Sequence, residues 1–481
     1  MTLMKGSEAN ITDAIGNTPI VKLNKVASHL EPYAHVYVKC EFMNPGGSVK
    51  DRIGVHMMDV AEKEGLLKPG GTIIEATSGN TGMGLAIAAA VRGYKCIFVM
   101  ADKQSEEKRT ALRSVGAQVV ICPTNVEPED PRSYYSVATR LAEETPNSLY
   151  TRQYWNPANP ETHYLTTGPE IWEQTGGELD AFICSIGTGG TVSGISKYLK
   201  EQRADLPVVG VDPVGSIYYD LFHTGEMPKA HTYYVEGVGE DFMPGTMDMK
   251  SMDDMMQVSD RESFMMARRL IREEGLLCGG SCGSAVAGAL KWVEKRRTED
   301  EKNGVKRDRP LQVLVLLPDS SSRYLSKFLN DEWLKDAGFL DPEPLQGSVH
   351  DLLLKKEGDA ATELFTTAPD APLGSVVDMM KTHGVSQLPV LEDGQLRGLV
   401  SEVRVLDALV KGEATMKSPV GPLASLDGAL TVHRETSLAN LTQALAGGKI
   451  GVVQEEEGTI IGLVTKIDLL EYVSNLSAMT G

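Results

Sequence analysis

Positive charge is in short supply in this chain: 47 lysines and arginines stand against 66 aspartates and glutamates, a formal net charge of −19. A field of that sign repels phosphate backbones and anionic lipid surfaces, so neither a nucleic-acid nor a membrane-surface partner is expected. Cysteine is scarcer still. Cys40, Cys96, Cys122, Cys184, Cys278 and Cys282 are spread over 481 residues, too thinly for a disulfide scaffold, and reduced thiols are expected. Cys278-Gly-Gly-Ser-Cys282 has one residue too many for the redox C-x-x-C spacing and no histidine pair nearby, so no metal is assigned. No run approaches the roughly 18 uninterrupted apolar residues of a membrane span. The start, MTLMKGSEANITDAIGNTP, lacks the apolar stretch of a secretory signal, and a cytoplasmic location is expected. An apolar content of 41% is ample for the cores of two or three domains.

What the chain does contain is alternation. From residue 71 to about 317, short β-branched runs interleave with helical stretches: GTIIEA before TGMGLAIAAAVRGY, CIFVMA before SEEKRTALRSVG, then QVVICP, AFICSI before TVSGISKYLKEQ, VVGVDP and VLVLLP. This pattern predicts an α/β fold with a mostly parallel sheet covered on both faces and ligands at the carboxyl ends of its strands. Beyond it, FLDPEPLQGSVHDLLLKKEGDAA carries the Pro, Gly and mixed charge of a connector. The division expected is a catalytic domain over 1–343, a linker over 344–362 and a second domain over 363–475. That second domain repeats itself: GQLRGLVSEVRVLDAL (394–409) and GTIIGLVTKIDLLEYV (458–473) superpose at an offset of 64, giving copies of about 363–415 and 416–475. Each copy reads as a β-β-α unit with one bare sheet face, so the two are expected to pack on each other. A duplicated scaffold without a ligand is the plainer reading of the same repeat.

The stretch NPGGSVKDR, residues 44–52, sets Lys50 behind two glycines and a serine. Gly46 and Gly47 permit a tight backbone approach and Ser48 reads as an N-cap, which puts Lys50 in the first turn of a helix. There the positive end of the helix dipole disfavours an ammonium and helps to depress its pKa. A neutral amine can form an imine. Taken alone, a surface lysine paired with Asp51 or Glu41 accounts for the same residues.

Three glycine-rich turns bear on the choice. Thr77-Ser78-Gly79-Asn80-Thr81-Gly82 follows GTIIEA and opens a helix, so its N–H groups and hydroxyls suit a carboxylate. Gly187-Thr188-Gly189-Gly190-Thr191 lies between AFICSI and the next helix, a phosphate cradle needing no cationic side chain. A dinucleotide fingerprint is its rival, since Gly187-x-Gly189 leads to a strand ending in Asp212, but the third fingerprint position is Val192, where Gly or Ala belongs. The third turn, Leu277 to Gly283, offers Ser281 as the hydroxyl most free to reach a ligand; alone it reads equally as a helix cap. An imine-forming lysine, a phosphate cradle and a carboxylate cradle together describe pyridoxal 5'-phosphate holding an amino acid.

NPGGSVKDR, TSGNTG, GTGGT and LLCGGSCGS, in this order and spacing, resemble the fold-type II pyridoxal-phosphate enzymes of the cystathionine β-synthase and cysteine synthase family, over roughly residues 10 to 335. The resemblance implies a tryptophan synthase β-like catalytic domain of two three-layer α/β/α subdomains, with the repeats as a tandem CBS-domain (Bateman) module. It implies Lys50 as the Schiff-base lysine, Asn80 as partner of the cofactor's ring oxygen, Gly187, Thr188, Gly189, Gly190 and Thr191 as the phosphate loop, and Ser281 facing the pyridine nitrogen. A neutral hydroxyl does not hold that nitrogen protonated as an aspartate does, which suits β-elimination more than transamination. The substrate carboxylate is expected against Thr77, Ser78, Gly79 and Thr81, with Gln153, Tyr154, Glu236 and Gly237 as further contacts.

Within the family, the tail, VEGVGEDF (235–242) and DPRSYY (130–135) point to members that condense serine with homocysteine to cystathionine, with hydrogen sulfide release from cysteine as a further activity. Cysteine synthesis from O-acetylserine and sulfide is the alternative. Glu240 stands where animal enzymes have a tyrosine. Those enzymes also carry a haem-binding extension with cysteine and histidine ligands; about ten residues precede the core here and the first cysteine is Cys40, so no haem is expected. Thr465-x-x-Asp468 suits an adenosine ligand, the carboxylate accepting from both ribose hydroxyls, whereas the matching Ser401-x-x-Arg404 has no carboxylate. One site around the second copy is therefore expected, with S-adenosylmethionine as the family's usual ligand and an adenine nucleotide or none left open. An adenosyl sensor carrying an inactive enzyme relic is a reading of another class, against which the intact Lys50, Asn80, GTGGT and Ser281 argue. The resemblance also implies a homodimer or homotetramer.

Overall fold

Along the strand Leu311–Leu317, successive side chains enter two different cores. Val313, Val315 and Leu317 join one, Leu314 and Leu316 the other, as a period of two requires of a strand covered on both faces. The computed structural model describes residue 4 and residues 6–124, 126, 130–340, 347–357, 364–455 and 458–480. It divides into two units, Met1–Asp341 and Pro342–Gly481.

In the first unit the described strands are β1 (Ile20–Lys22), β2 (Ala34–Cys40), β3 (Thr72–Ala76), β4 (Lys95–Ala101), β5 (Gln118–Cys122), β6 (Ser148–Tyr150), β7 (Ala181–Ser185), β8 (Val208–Pro213), β9 (Asp254–Val258) and β10 (Leu311–Leu317). They form two sheets, β1-β2-β10-β7-β8-β9 and β5-β4-β3-β6, in which only β1 runs antiparallel to its neighbour. The six-stranded sheet packs one face on the helix Gly280–Lys302 through Ala285, Val286, Ala289 and Val293, and the other on Gly190–Gln202 through Ile195 and Leu199. In the four-stranded sheet, Ile73, Phe98 and Met100 meet the helices Lys50–Lys63 and Asn80–Arg92, while Ile74, Ala76 and Val99 meet Tyr134–Glu144. All six runs expected from the sequence are strands; β1, β2, β6 and β9 lie outside those runs and were not read as strands.

The helices that begin at Lys50 and Asn80 touch backbone to backbone. A Cβ on Gly54 would lie 2.4 Å from the Gly84 carbonyl carbon, and one on Gly84 2.5 Å from the Lys50 carbonyl oxygen. Only glycine permits that approach, and it draws the two helix starts to the same place.

In the second unit, β11 (Gln387–Glu392) pairs antiparallel with β12 (Gln395–Ser401), and β13 (Ala429–Val432) runs parallel to β14 (Ile450–Gln454), which pairs antiparallel with β15 (Ile460–Val464). Leu399, Val452 and Ile460 form a core with Leu391, Leu396, Ala429, Ile450 and Leu463, so the two copies do pack sheet against sheet. Part of the connector expected at 344–362 is structured: Val349–Glu357 is a helix whose Val349, Leu352 and Leu353 join Leu438, Leu441 and Val464 in the core of the second copy. Apolar residues spaced three and four apart there buried a helix that composition disguised. Residues 344–346 and 358–362 of that connector lie outside the described residues.

Candidate active site

Lys50 is the first residue of the helix Lys50–Lys63. The N-cap position belongs to Val49 rather than to Ser48, because this turn is docked against the residues after β10: Val49 N–H donates to Pro318 O at 2.8 Å, and Ser48 bridges Asp319. The Ser48 hydroxyl accepts the Lys50 N–H at 3.3 Å. Neither acid of the surface-lysine reading pairs with Lys50. Glu41 accepts Arg52 Nε at 2.8 Å and Nη2 at 2.9 Å, and Asp51 Oδ2 accepts the Gly46 N–H at 2.6 Å. Lys50 Nζ instead donates to Thr188 Oγ1 at 3.3 Å. Burial brings the lysine pKa down to about 8.

The helix Asn80–Arg92 begins just after β3. Thr77 Oγ1 accepts the N–H of Gly79 at 3.0 Å and of Gly82 at 3.4 Å, which folds the turn on itself. Thr81 donates to Gln153 Oε1 at 2.6 Å, and Gln153 Nε2 donates to Ala76 O at 3.2 Å. Beneath them the fully buried Glu75 accepts the Thr151 hydroxyl and the Gln153 N–H, and burial pushes its carboxyl up to about 7.

The turn between β7 and Gly190–Gln202 is moulded by absent side chains. At Gly189, φ is +78° and a Cβ would lie 2.4 to 2.8 Å from Met247; at Gly190 it would meet Asn159 Oδ1 at 2.1 Å. Thr188 Oγ1 accepts from Asn159 Nδ2 at 3.1 Å as well as from Lys50, and Thr191 Oγ1 lies 3.1 Å from His163 Nε2. Gly187 packs on the Gly237 carbonyl, 2.6 Å from where its Cβ would be. Asp212, the acid of the rival dinucleotide reading, is fully buried and accepts the Tyr219 N–H at 2.9 Å. It serves the next helix instead of facing the turn.

Asp319, which the sequence reading missed, stands two residues past β10. It is buried, and its carboxylate accepts from Asn80 Nδ2 at 2.8 Å, Tyr324 OH at 2.5 Å, Ser281 Oγ at 3.3 Å and, more weakly, Cys282 Sγ at 4.0 Å. Two residues expected to face the cofactor ring are thus tied to one carboxylate. Its signal was its place at the carboxyl end of a central parallel strand.

A cavity of about 100 Å³ joins these parts, lined by Lys50, Ser78, Gln153, Tyr154, Thr188 and Gly237 among others. Glu236 also lines it, but its carboxylate is held by Lys108 Nζ at 2.7 Å and Lys327 Nζ at 3.2 Å. That ion triad makes Glu236 a wall of the site more than a free contact for substrate. In the second unit, Asp468 Oδ2 accepts the Thr465 N–H at 2.7 Å and its hydroxyl at 2.8 Å. The Thr-x-x-Asp pattern is therefore a helix-start motif at Lys466–Thr480, matched in the first copy by Ser401 accepting the Arg404 N–H at 3.3 Å.

Comparison with known proteins bears on this geometry. Residues 11–306 match the family model of the pyridoxal-phosphate-dependent enzymes, and residues 358–411 and 416–475 each match that of the CBS domain. The chain is 40% identical to a cystathionine beta-synthase of Dictyostelium discoideum over 96% of this chain and 92% of that protein. It belongs to the cystathionine beta-synthase family of pyridoxal-phosphate-dependent enzymes. Among solved structures, it resembles the O-acetylserine-dependent cystathionine beta-synthase from Helicobacter pylori at 36% identity and a TM-score of 0.58, over 68% of this chain and 99% of that one. A hydrogen sulfide-producing enzyme from Fusobacterium nucleatum aligns at 34% identity with a TM-score of 0.59, over 66% of this chain and 100% of that one.

The residues fit the family's cofactor. Asn80 Oδ1 and Ser185 Oγ are buried without a partner, and Ser185 lines one small cavity with Lys50, Gly187, Thr188, Gly189 and Thr191. Lys50 is aimed at the same place. Among the described residues there is no cluster suited to a metal ion and no helix long and apolar enough to cross a membrane.

Proposed function

We propose that this enzyme joins L-serine to L-homocysteine by β-replacement, giving L-cystathionine, and that it releases hydrogen sulfide when cysteine takes the place of serine. The observation that carries the reading is Lys50: an amine with its pKa near 8, 3.3 Å from the hydroxyl of the glycine turn. When bound, pyridoxal phosphate withdraws electrons from the amino-acid α-carbon. Everything else falls to backbone and side-chain groups of this chain. Gly187 to Thr191 hold the phosphate, Asn80 and Ser281 the ring edges, and Thr77, Ser78, Gly79 and Thr81 the serine carboxylate, with Gln153 and Tyr154 closing over it. The Lys50 amine takes the α-proton and later returns one. Burial of Thr81, Gln153 and Tyr154 keeps water from the β-carbon while its hydroxyl leaves and the thiol adds.

The name of the Dictyostelium relative supports cystathionine formation over cysteine synthesis; that of the Helicobacter structure makes O-acetylserine the second leaving-group donor to assay. Cytoplasmic location, a homodimer or homotetramer, freedom from haem, and an adenosyl ligand beside Thr465 and Asp468, S-adenosylmethionine first among them, complete the proposal. Product analysis with serine plus homocysteine, with and without S-adenosylmethionine, tests it. Cystathionine is expected; cysteine from O-acetylserine and sulfide alone would overturn the reading. A Soret band in the purified protein would overturn the haem-free part.

A further inference from the structure

The cavity beside Lys50 does not end there. It continues through Ser78, Gln104, Tyr134 and Glu240 into a recess of about 290 Å³, at the small end for ligand pockets. A small amino acid fits within it. Three of its polar groups answer a zwitterion. Gln104 lines it, is 8% exposed, and its Oε1 is buried without a hydrogen-bond partner. Glu240 supplies a carboxylate on the same recess, and Lys103, exposed at its edge, supplies a cation.

Glu240 is held in place by backbone. Its N–H donates to Ser216 Oγ at 3.0 Å and its carbonyl accepts the Ile217 N–H at 3.1 Å. Gly239 before it donates to Ile186 O at 2.6 Å, at the end of β7. A carboxylate half-buried among tyrosines and so fixed is pre-organised for a cation. Burial pushes the Glu240 carboxyl up to about 8, with Asp241 adding to the rise and Lys103 and Lys50 opposing it; an ammonium brought alongside would restore its ionised form.

Resting on the proposed β-replacement, we infer that this recess selects the second substrate: Glu240 and Gln104 Oε1 take the ammonium of the incoming thiol amino acid, Lys103 its carboxylate, and the thiol points inward to the Lys50 cavity. Recognition of this kind distinguishes an amino-acid thiol from the same thiol without its amine.

The test is the ratio of kcat/KM for homocysteine to that for 4-mercaptobutyrate, its des-amino analogue, with serine saturating and the full-length holoenzyme used throughout. The native enzyme should prefer homocysteine by about tenfold or more, and Glu240→Gln should shrink that preference several-fold. Each ratio is internal to one protein, so a lower overall rate does not affect it. Lys103→Met, aimed at the carboxylate both thiols carry, should slow both and leave the ratio near the native value. An unchanged ratio in Glu240→Gln overturns the inference while the proposed reaction stands. A native enzyme that forms no thioether from serine and either thiol overturns the proposed reaction, and the inference with it.

Discussion

Asp319 and Asn80, 239 residues apart in the chain, are joined by a 2.8 Å hydrogen bond from the Asn80 amide to Asp319 Oδ2. The same carboxylate takes the Ser281 hydroxyl and the Tyr324 hydroxyl, so the orientation of two candidate ring contacts depends on one positioning residue. Asp319→Asn should leave the fold intact and weaken cofactor retention. Hydrogen bonds to a charged group contribute about 2 kcal/mol, which corresponds to a roughly 30-fold weaker hold. Cofactor absorbance per protomer after dialysis checks it; full retention with an unchanged spectrum would remove Asp319 from the site.

Lys50→Ala should abolish turnover and the chromophore that borohydride fixes, without unfolding the protein. In the native enzyme the acid limb of kcat against pH should rise as pH passes about 8, where burial has set the lysine, because only the neutral amine can take a proton. A rate flat from pH 6 to 9 would contradict this role for Lys50.

At position 189 an alanine would adopt φ near +78° and press on Met247. Gly189→Ala should therefore lower stability by about 2 kcal/mol, through strain and overpacking together. It should also loosen phosphate binding. Thermal melting with and without added pyridoxal phosphate reads both effects, and a fully stable variant that keeps its cofactor would count against the glycine cradle.

Glu75 predicts a pH signature in stability. Its carboxyl titrates near 7 when folded against an ordinary value of 4.5. Below about pH 4 both states are protonated and nothing changes. Between 4.5 and 7 the unfolded chain releases a proton that the folded one keeps, so stability falls as pH rises, by about 3 kcal/mol in all. Glu75→Gln should remove most of that fall when unfolding is followed from pH 4 to 8.

The buried ion network around Glu41 offers a check on the scaffold. Glu41 is fully buried, accepts two hydrogen bonds from Arg52, one from Asn44 Nδ2 at 2.9 Å and one from the Thr18 hydroxyl at 2.6 Å, and Arg52 with the other donors holds its carboxyl down to about 2 against the cost of burial. Glu41→Ala removes the two-bond partner of the buried Arg52 guanidinium, leaving it Glu170 Oε2 at 2.9 Å, and should cost about 3 kcal/mol. A loss below 1 kcal/mol in chemical denaturation would mean the network relaxes on its own.

Six of the ten strands of the first unit, the three glycine turns and Lys50 were legible in the sequence because each depends on local chemistry: periodicity of burial, the conformational freedom of glycine, and a lone amine at a helix start. The offset of 64 between the tail copies likewise fixed their β-β-α pattern, since a repeated segment folds in a repeated way. Only the tertiary structure decided which groups meet. Asp319 reaches Asn80 and Ser281 because β10 lies at the centre of its sheet, a pairing made by strands far apart in the chain. Glu41 goes to Arg52 and leaves Lys50 to Thr188 for the same reason: partners are chosen by distance and burial in three dimensions, and sequence separation carries neither.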